Sequence, residues 1–131
     1  MKRERVSRIA ISLLAVSCAL FAAEPGDGAW LQRVPAKEHE RVNPFGQRQE
    51  AVSAGRKIYE EHCERCHGED LQGTRRRPAL RSERVQQKAS EGDLHWLLVN
   101  GSMKQGMPSW SRLGDPQIWQ LISYLKSLPP K

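Results

Sequence analysis

The chain has 131 residues, 38% hydrophobic and 27% charged, with 21 Lys+Arg against 15 Asp+Glu and a formal net charge of +6. That length allows one small domain with a limited core of its own. The first 23 residues hold four basic side chains and one acidic one, so the remainder carries only +3. No basic helix with interleaved aromatics supports a nucleic-acid partner.

Residues 1–23 carry Lys2, Arg3, Arg5 and Arg8, then an apolar run from Ile9 to Ala23, then a polar change at Glu24, Pro25 and Gly26. A basic start followed by a short apolar run ending in small residues describes a signal peptide, and the run is too short for a membrane span. Cys18 follows Ala15-Val16-Ser17, a poor likeness of a lipoprotein cleavage pattern. Removal with the signal is therefore expected, with lipidation at Cys18 or an uncleaved anchor as the alternatives.

Residues 24–48 contain Pro25, Gly26, Gly28, Pro35, Pro44 and Gly46 with no sustained period and read as an irregular arm. The arm is either a flexible spacer or an extension laid on the domain through Trp30, Leu31, Val34 and Phe45. His39, among Lys37, Glu38, Glu40 and Arg41, is expected to be solvated. The domain proper is placed at 49–131.

From Glu50 the pattern turns helical, with Val52, Gly55, Ile58, Tyr59 and His62 recurring at threes and fours. A glycine in mid-helix costs about 1 kcal/mol relative to alanine, so Gly55 predicts a close crossing by another helix. This helix runs into Cys63-Glu64-Arg65-Cys66-His67, a C-x-x-C-H, which reads as the attachment site of a c-type haem. Thiols two residues apart lie on one side of a helical turn, within reach of the two vinyl groups on one porphyrin edge. The next residue, His67, is then held beneath the ring as a proximal iron ligand. The competing readings are a redox dithiol or half a zinc site. A zinc site has only Cys18, His62 or His39 to complete it, and a dithiol expects a strand before the motif rather than a helix.

Ser90 to Val99 reads as a shorter helix, with Leu94, Leu97 and Leu98 inward, His95 on the outer side and Gly101 just beyond its end. Asp115-Pro116 reads as an N-cap followed by proline at the first helical position. Ile118, Trp119, Leu121, Ile122, Leu125 and Leu128 then form an apolar stripe, stopped by Pro129-Pro130. Its Leu121/Tyr124/Leu125 region is predicted to cross the first helix near Gly55 and Tyr59. No stretch alternates as a strand should, so the fold class is all-α.

This order of helix, C-x-x-C-H, loop, middle helix, methionine loop and crossing C-terminal helix closely resembles the small class I cytochrome c domain over residues 49–131. The resemblance implies one haem c, covalently bound through Cys63 and Cys66, and export to the periplasm. It implies a sixth ligand from a Gly-Met-Pro segment, which here is Gly106-Met107-Pro108, 40 residues after His67. Gly106 lets the backbone approach the ring and Pro108 rigidifies the loop, which favours Met107 over Met103, four residues earlier; Met103 is read as a core filler. The family also implies that the carbonyl of Pro78 accepts from the His67 ring and that Leu80 packs on the proximal haem face. Arg75, Arg76 and Arg77 are a solvated loop or supply a propionate partner. Trp110 either lines the crevice or wedges the loop.

A His/Met-ligated iron has no open coordination site, so the resemblance implies a periplasmic one-electron carrier rather than an enzyme, docking to redox partners that its basic balance helps to steer. The alternatives are a dedicated subunit of a quinoprotein dehydrogenase or oxidase complex, docked through the arm with Trp30 and Phe45, and a haem enzyme or gas sensor with an open sixth site.

Overall fold

Two helices meet at a glycine. In the computed structural model, which describes residues 29–131, the helix α2 (Gln49–His62) crosses α5 (Asp115–Ser127) at Gly55. A Cβ on Gly55 would lie 1.9 Å from the Gln120 carbonyl oxygen and 2.9 Å from Tyr124 Cβ. The tight crossing the glycine predicts is present, and the Tyr59 and Tyr124 rings pack 5.6 Å apart beside it. Tyr124 stands at the crossing as expected, and the backbone nearest Gly55 is that of Gln120. A glycine gap accepts the partner's backbone, so the apolar Leu121 and Leu125 are free to turn elsewhere.

The start of α5 differs from expectation by one residue. Gly114, at φ +77°, occupies the cap, and Asp115 is the first residue of the helix with Pro116 following. The Asp115 carboxylate is engaged on a different side chain, described below, and makes no cap bond. The middle helix α4 (Glu91–Asn100) is opened by a capping box: Ser90 Oγ accepts from the Asp93 N–H at 3.1 Å and Asp93 Oδ2 accepts from the Ser90 N–H at 2.8 Å. Leu94 and Leu98 are buried.

His95, expected on the outer side of α4, is buried at 2% exposure. Its ring stacks on Trp119 at 4.3 Å, its Nδ1 accepts from Arg41 Nη1 at 2.9 Å, and its Nε2 lies 2.9 Å from Asp115 Oδ1. The face it occupies is covered by the arm, which no helical period can foretell.

Within the described part of the arm, a 3₁₀ turn (Ala29–Arg33) and the single turn α1 (Ala36–His39) are packed on the domain. Trp30 and Asn43 are buried, and the Glu38 carbonyl lies where a Cβ on Gly92 would sit. His39 is exposed yet not free, because its Nδ1 is 2.9 Å from the Asp93 carboxylate. Residues 1–23 and Cys18 lie outside the described residues.

Among the described residues there is no strand, and the fold is all-α. A short turn, α3 (Glu64–His67), and a π turn (Arg84–Lys88) link α2 to α4. No helix among the described residues is long and apolar enough to cross a membrane.

Candidate functional site

The end of α2 delivers the motif. The Cys63 N–H closes the last turn on the Tyr59 carbonyl at 2.8 Å, and the Cys66 and His67 N–H groups both return to the Cys63 carbonyl, at 3.1 and 3.0 Å. Cys63, Cys66 and His67 therefore share one continuous helical turn. Both cysteines are free thiols, and all three residues line a cavity of about 700 Å³. Burial pushes the Cys63 thiol up to about 12, with the neighbouring Cys66 adding to the effect. A redox dithiol needs the opposite shift, toward thiolate. No group of three or more His, Cys, Asp or Glu side chains suited to a metal ion occurs among the described residues.

His67 is oriented by its outer nitrogen. Nδ1 donates to the Pro78 carbonyl at 3.0 Å, which fixes the tautomer and leaves the Nε2 lone pair as the acceptor. Burial holds the imidazole pKa below its ordinary value, the bond to Pro78 opposes this, and the Arg77 charge reinforces it. Burial thus favours the neutral ring, the form that ligates metal. Pro78 is placed by a tight turn in which the Thr74 N–H meets the Arg77 carbonyl at 2.9 Å and the Arg77 N–H meets the Thr74 carbonyl at 3.2 Å. Gly73 makes room for that turn: at φ +69° it has no Cβ, and one would lie 2.3 Å from the Arg77 carbonyl. Leu80, half-buried, lines the same cavity.

Met107 comes to the cavity from a separate loop. The Ser102 N–H donates to the Met107 carbonyl at 2.8 Å and the Met107 N–H to the Ser102 carbonyl at 3.1 Å, with Gly106 turning the chain at φ +77°. Met107 is half-buried and lines the cavity. Met103 is 72% exposed and takes no part in the wall, so it is not the core filler expected of it. Of the two alternatives for Trp110, the cavity is where it sits: it lines the wall, with its backbone N–H on the Leu98 carbonyl at 2.8 Å and its ring 5.4 Å from that of His62.

Much of the remaining wall is apolar, from Leu94, Leu97 and Leu98 of α4 and Leu121 and Leu125 of α5, with Arg75, Arg76 and Arg77 among the polar residues that also line it. A predominantly apolar cavity with polar groups placed around it is the usual form of a cofactor site. Sequence reasoning missed Val85 and the position of Trp30. Both reach the cavity from irregular segments, where no period marks a face.

The model of the family described as cytochrome c oxidase, cbb3-type, subunit III matches residues 50–125, more than half of the chain. The chain belongs to this family of class I c-type cytochromes. A relative, cytochrome c550 of Pseudomonas aeruginosa, is 27% identical over 112 residues, covering 80% of this chain and 71% of that protein. The cbb3-type cytochrome c oxidase subunit FixP of Sinorhizobium medicae is 32% identical over 79 residues, 59% of this chain but only 27% of FixP. The all-α architecture is that of the cytochrome c fold. Cytochromes of this kind are electron carriers, not enzymes, and their partners are redox proteins, free or within a complex.

Membership implies a covalently bound haem c with its iron. The residues present fit that group: two free thiols on one turn, an imidazole whose outer nitrogen is already engaged, and a largely apolar cavity beside them.

Proposed function

We propose that this cytochrome is a periplasmic one-electron carrier in which Cys63 and Cys66 hold the haem by thioethers and His67 and Met107 are the two axial ligands. The observation that carries the reading is that one cavity is lined by both thiols, by the oriented imidazole and by the Met107 side chain. Bound there, haem c supplies reversible one-electron exchange between ferrous and ferric iron. The chain's own residues do the rest. Pro78 holds the His67 ring in a fixed tautomer, Leu80 and the α4 and α5 leucines exclude water, and Arg75 and Arg76 offer cations suited to propionates. Met107 would supply a thioether to the iron, which favours the ferrous state relative to a second histidine.

A second reading, a bound subunit of a larger redox complex, draws support from the family's description and from the FixP match. Trp30 is buried in this chain's own core, which takes it out of any docking role. Co-purification of the native protein with a membrane complex would favour the subunit over the diffusing carrier.

The decisive experiment is the absorption spectrum of the haem-loaded protein, oxidised and reduced, in wild type and Met107→Ala. The expected ferric wild type has the weak red band of a methionine-to-iron transition, and the variant loses it and binds carbon monoxide when reduced. If wild type lacks the band and itself binds carbon monoxide, the His/Met assignment is wrong.

A further inference from the structure

The loop that carries Met107 is tied to the loop that carries Pro78 by one side chain. Arg77 Nη1 donates to the Gln105 carbonyl at 2.8 Å, two residues before Met107. Its guanidinium also covers Gly106, where a Cβ would lie 2.8 Å from Nη1 and 3.3 Å from Nη2. The loop's other hydrogen bonds named here run to α4 or within itself, namely the paired Ser102 and Met107 bonds and Ser109 Oγ on the Val99 carbonyl, and the Trp110 ring adds a contact with His62 of α2. None of these reaches the Pro78 segment. Arg77 does, and it is the residue immediately before Pro78, whose carbonyl holds the His67 ring.

We infer that Arg77 is a positioning residue for the sixth ligand, locking the Met107 loop closed against the segment that orients the proximal histidine. The two sides of the cavity are thereby braced by adjacent residues, Arg77 toward Met107 and Pro78 toward His67. A guanidinium presents donors in a rigid plane, so one side chain reaches the carbonyl while its face shields the glycine beside it. Opening the loop to admit an external ligand must break this charge-assisted bond, which is stronger than a neutral one. The inference rests on the reading of Met107 as sixth ligand.

The test is the affinity of the ferric, haem-loaded protein for added imidazole, followed by loss of the red band, in wild type, Arg77→Ala, Arg77→Lys and Lys104→Ala. Arg77→Ala is expected to bind imidazole about tenfold more tightly, the factor that loss of one charge-assisted bond gives. Arg77→Lys keeps a donor and recovers part of the difference. Lys104→Ala, which removes a like charge from the Met107 loop itself without touching the Arg77 bond, stays within about twofold of wild type. Equal imidazole affinity in Arg77→Ala and wild type, with the red band intact in both, overturns the clamp and leaves Met107 in place as ligand. A wild type without the band overturns the ligand assignment itself, and the clamp with it.

Discussion

The ammonium of Lys126 donates to three backbone carbonyls at once: Val85 at 2.7 Å, Gln86 at 3.0 Å and Ala89 at 2.6 Å. It therefore helps to pin the π turn Arg84–Lys88 to the last turn of α5, alongside Gln86 Nε2, which donates to the Leu125 carbonyl at 3.0 Å. Burial draws the Lys126 pKa below the ordinary lysine value, while Glu91 and Asp93 pull it upward. Val85 lines the cofactor cavity, so this one cation sets part of the wall. Replacing it by methionine leaves the stem's packing and strands three acceptors, and the loss is expected to be about 2 kcal/mol. Urea unfolding of the haem-loaded Lys126→Met protein measures it, and a midpoint equal to wild type's would show the three bonds to be worth nothing net. In the sequence Lys126 is indistinguishable from a solvated residue near a helix C-terminus, because its acceptors come from a segment about forty positions away. The motif residues are the contrary case: the pattern Cys63, Cys66, His67 is local, so its geometry follows from one helical turn.

At the scale of elements, the crossing of α2 and α5 stands on the absent side chain of Gly55. The nearest atom to a new Cβ is the Gln120 backbone oxygen, 1.9 Å away, which no rotamer change can move. Gly55→Ala is thus expected to force the helices apart. The predicted cost is about 3 kcal/mol or more, beyond the usual range for one extra methyl because the clash is with backbone. Thermal unfolding of the holoprotein would register it, and a melting temperature within 2 °C of wild type, roughly what a few tenths of a kcal/mol would produce, would refute the account. Three helices were legible because each apolar stripe lies within its own residues: Ile58 and Tyr59, Leu94 and Leu98, Ile118 to Leu125. Their mutual register was not, since it depends on which backbone fills the Gly55 gap. The Asp115 cap was misread for a related reason. The carboxylate has a helix start and a buried imidazole to choose between, and the imidazole is visible only in three dimensions.

For the whole molecule, the arm is a third layer laid over α4 and the start of α5, and a polar network joins it to both. Asn43 Nδ2 donates to the Trp119 carbonyl at 3.1 Å and to Ser123 Oγ at 2.9 Å. Arg41 reaches Glu38, Asp115 and His95. This layer was illegible in the sequence because polar contacts of high sequence separation leave no period; Trp30 and Phe45 suggested packing but not its place. The network has a built-in proton sensitivity at His95. A guanidinium can only donate, so His95 Nδ1 must accept from Arg41, and Nε2–H donates to Asp115. Protonating Nδ1 would set two donors against each other at 2.9 Å. Burial is the main cause that lowers the His95 pKa below 6.5, the Arg41 charge adds to it, and the Asp115 bond together with the Glu38 charge opposes it. A histidine depressed in this way takes its proton first in the unfolded chain. The stability it confers is complete above about pH 6.5 and is lost as the pH falls toward the lower folded value. Acidification from pH 7.5 to 5 is accordingly expected to loosen residues 36–43 before the haem-bearing core, read as faster amide hydrogen exchange in that segment. His95→Gln, which offers Arg41 an oxygen acceptor and carries no titrating proton, is expected to lose most of that pH dependence. An identical rise in exchange in both proteins would move the sensor away from His95.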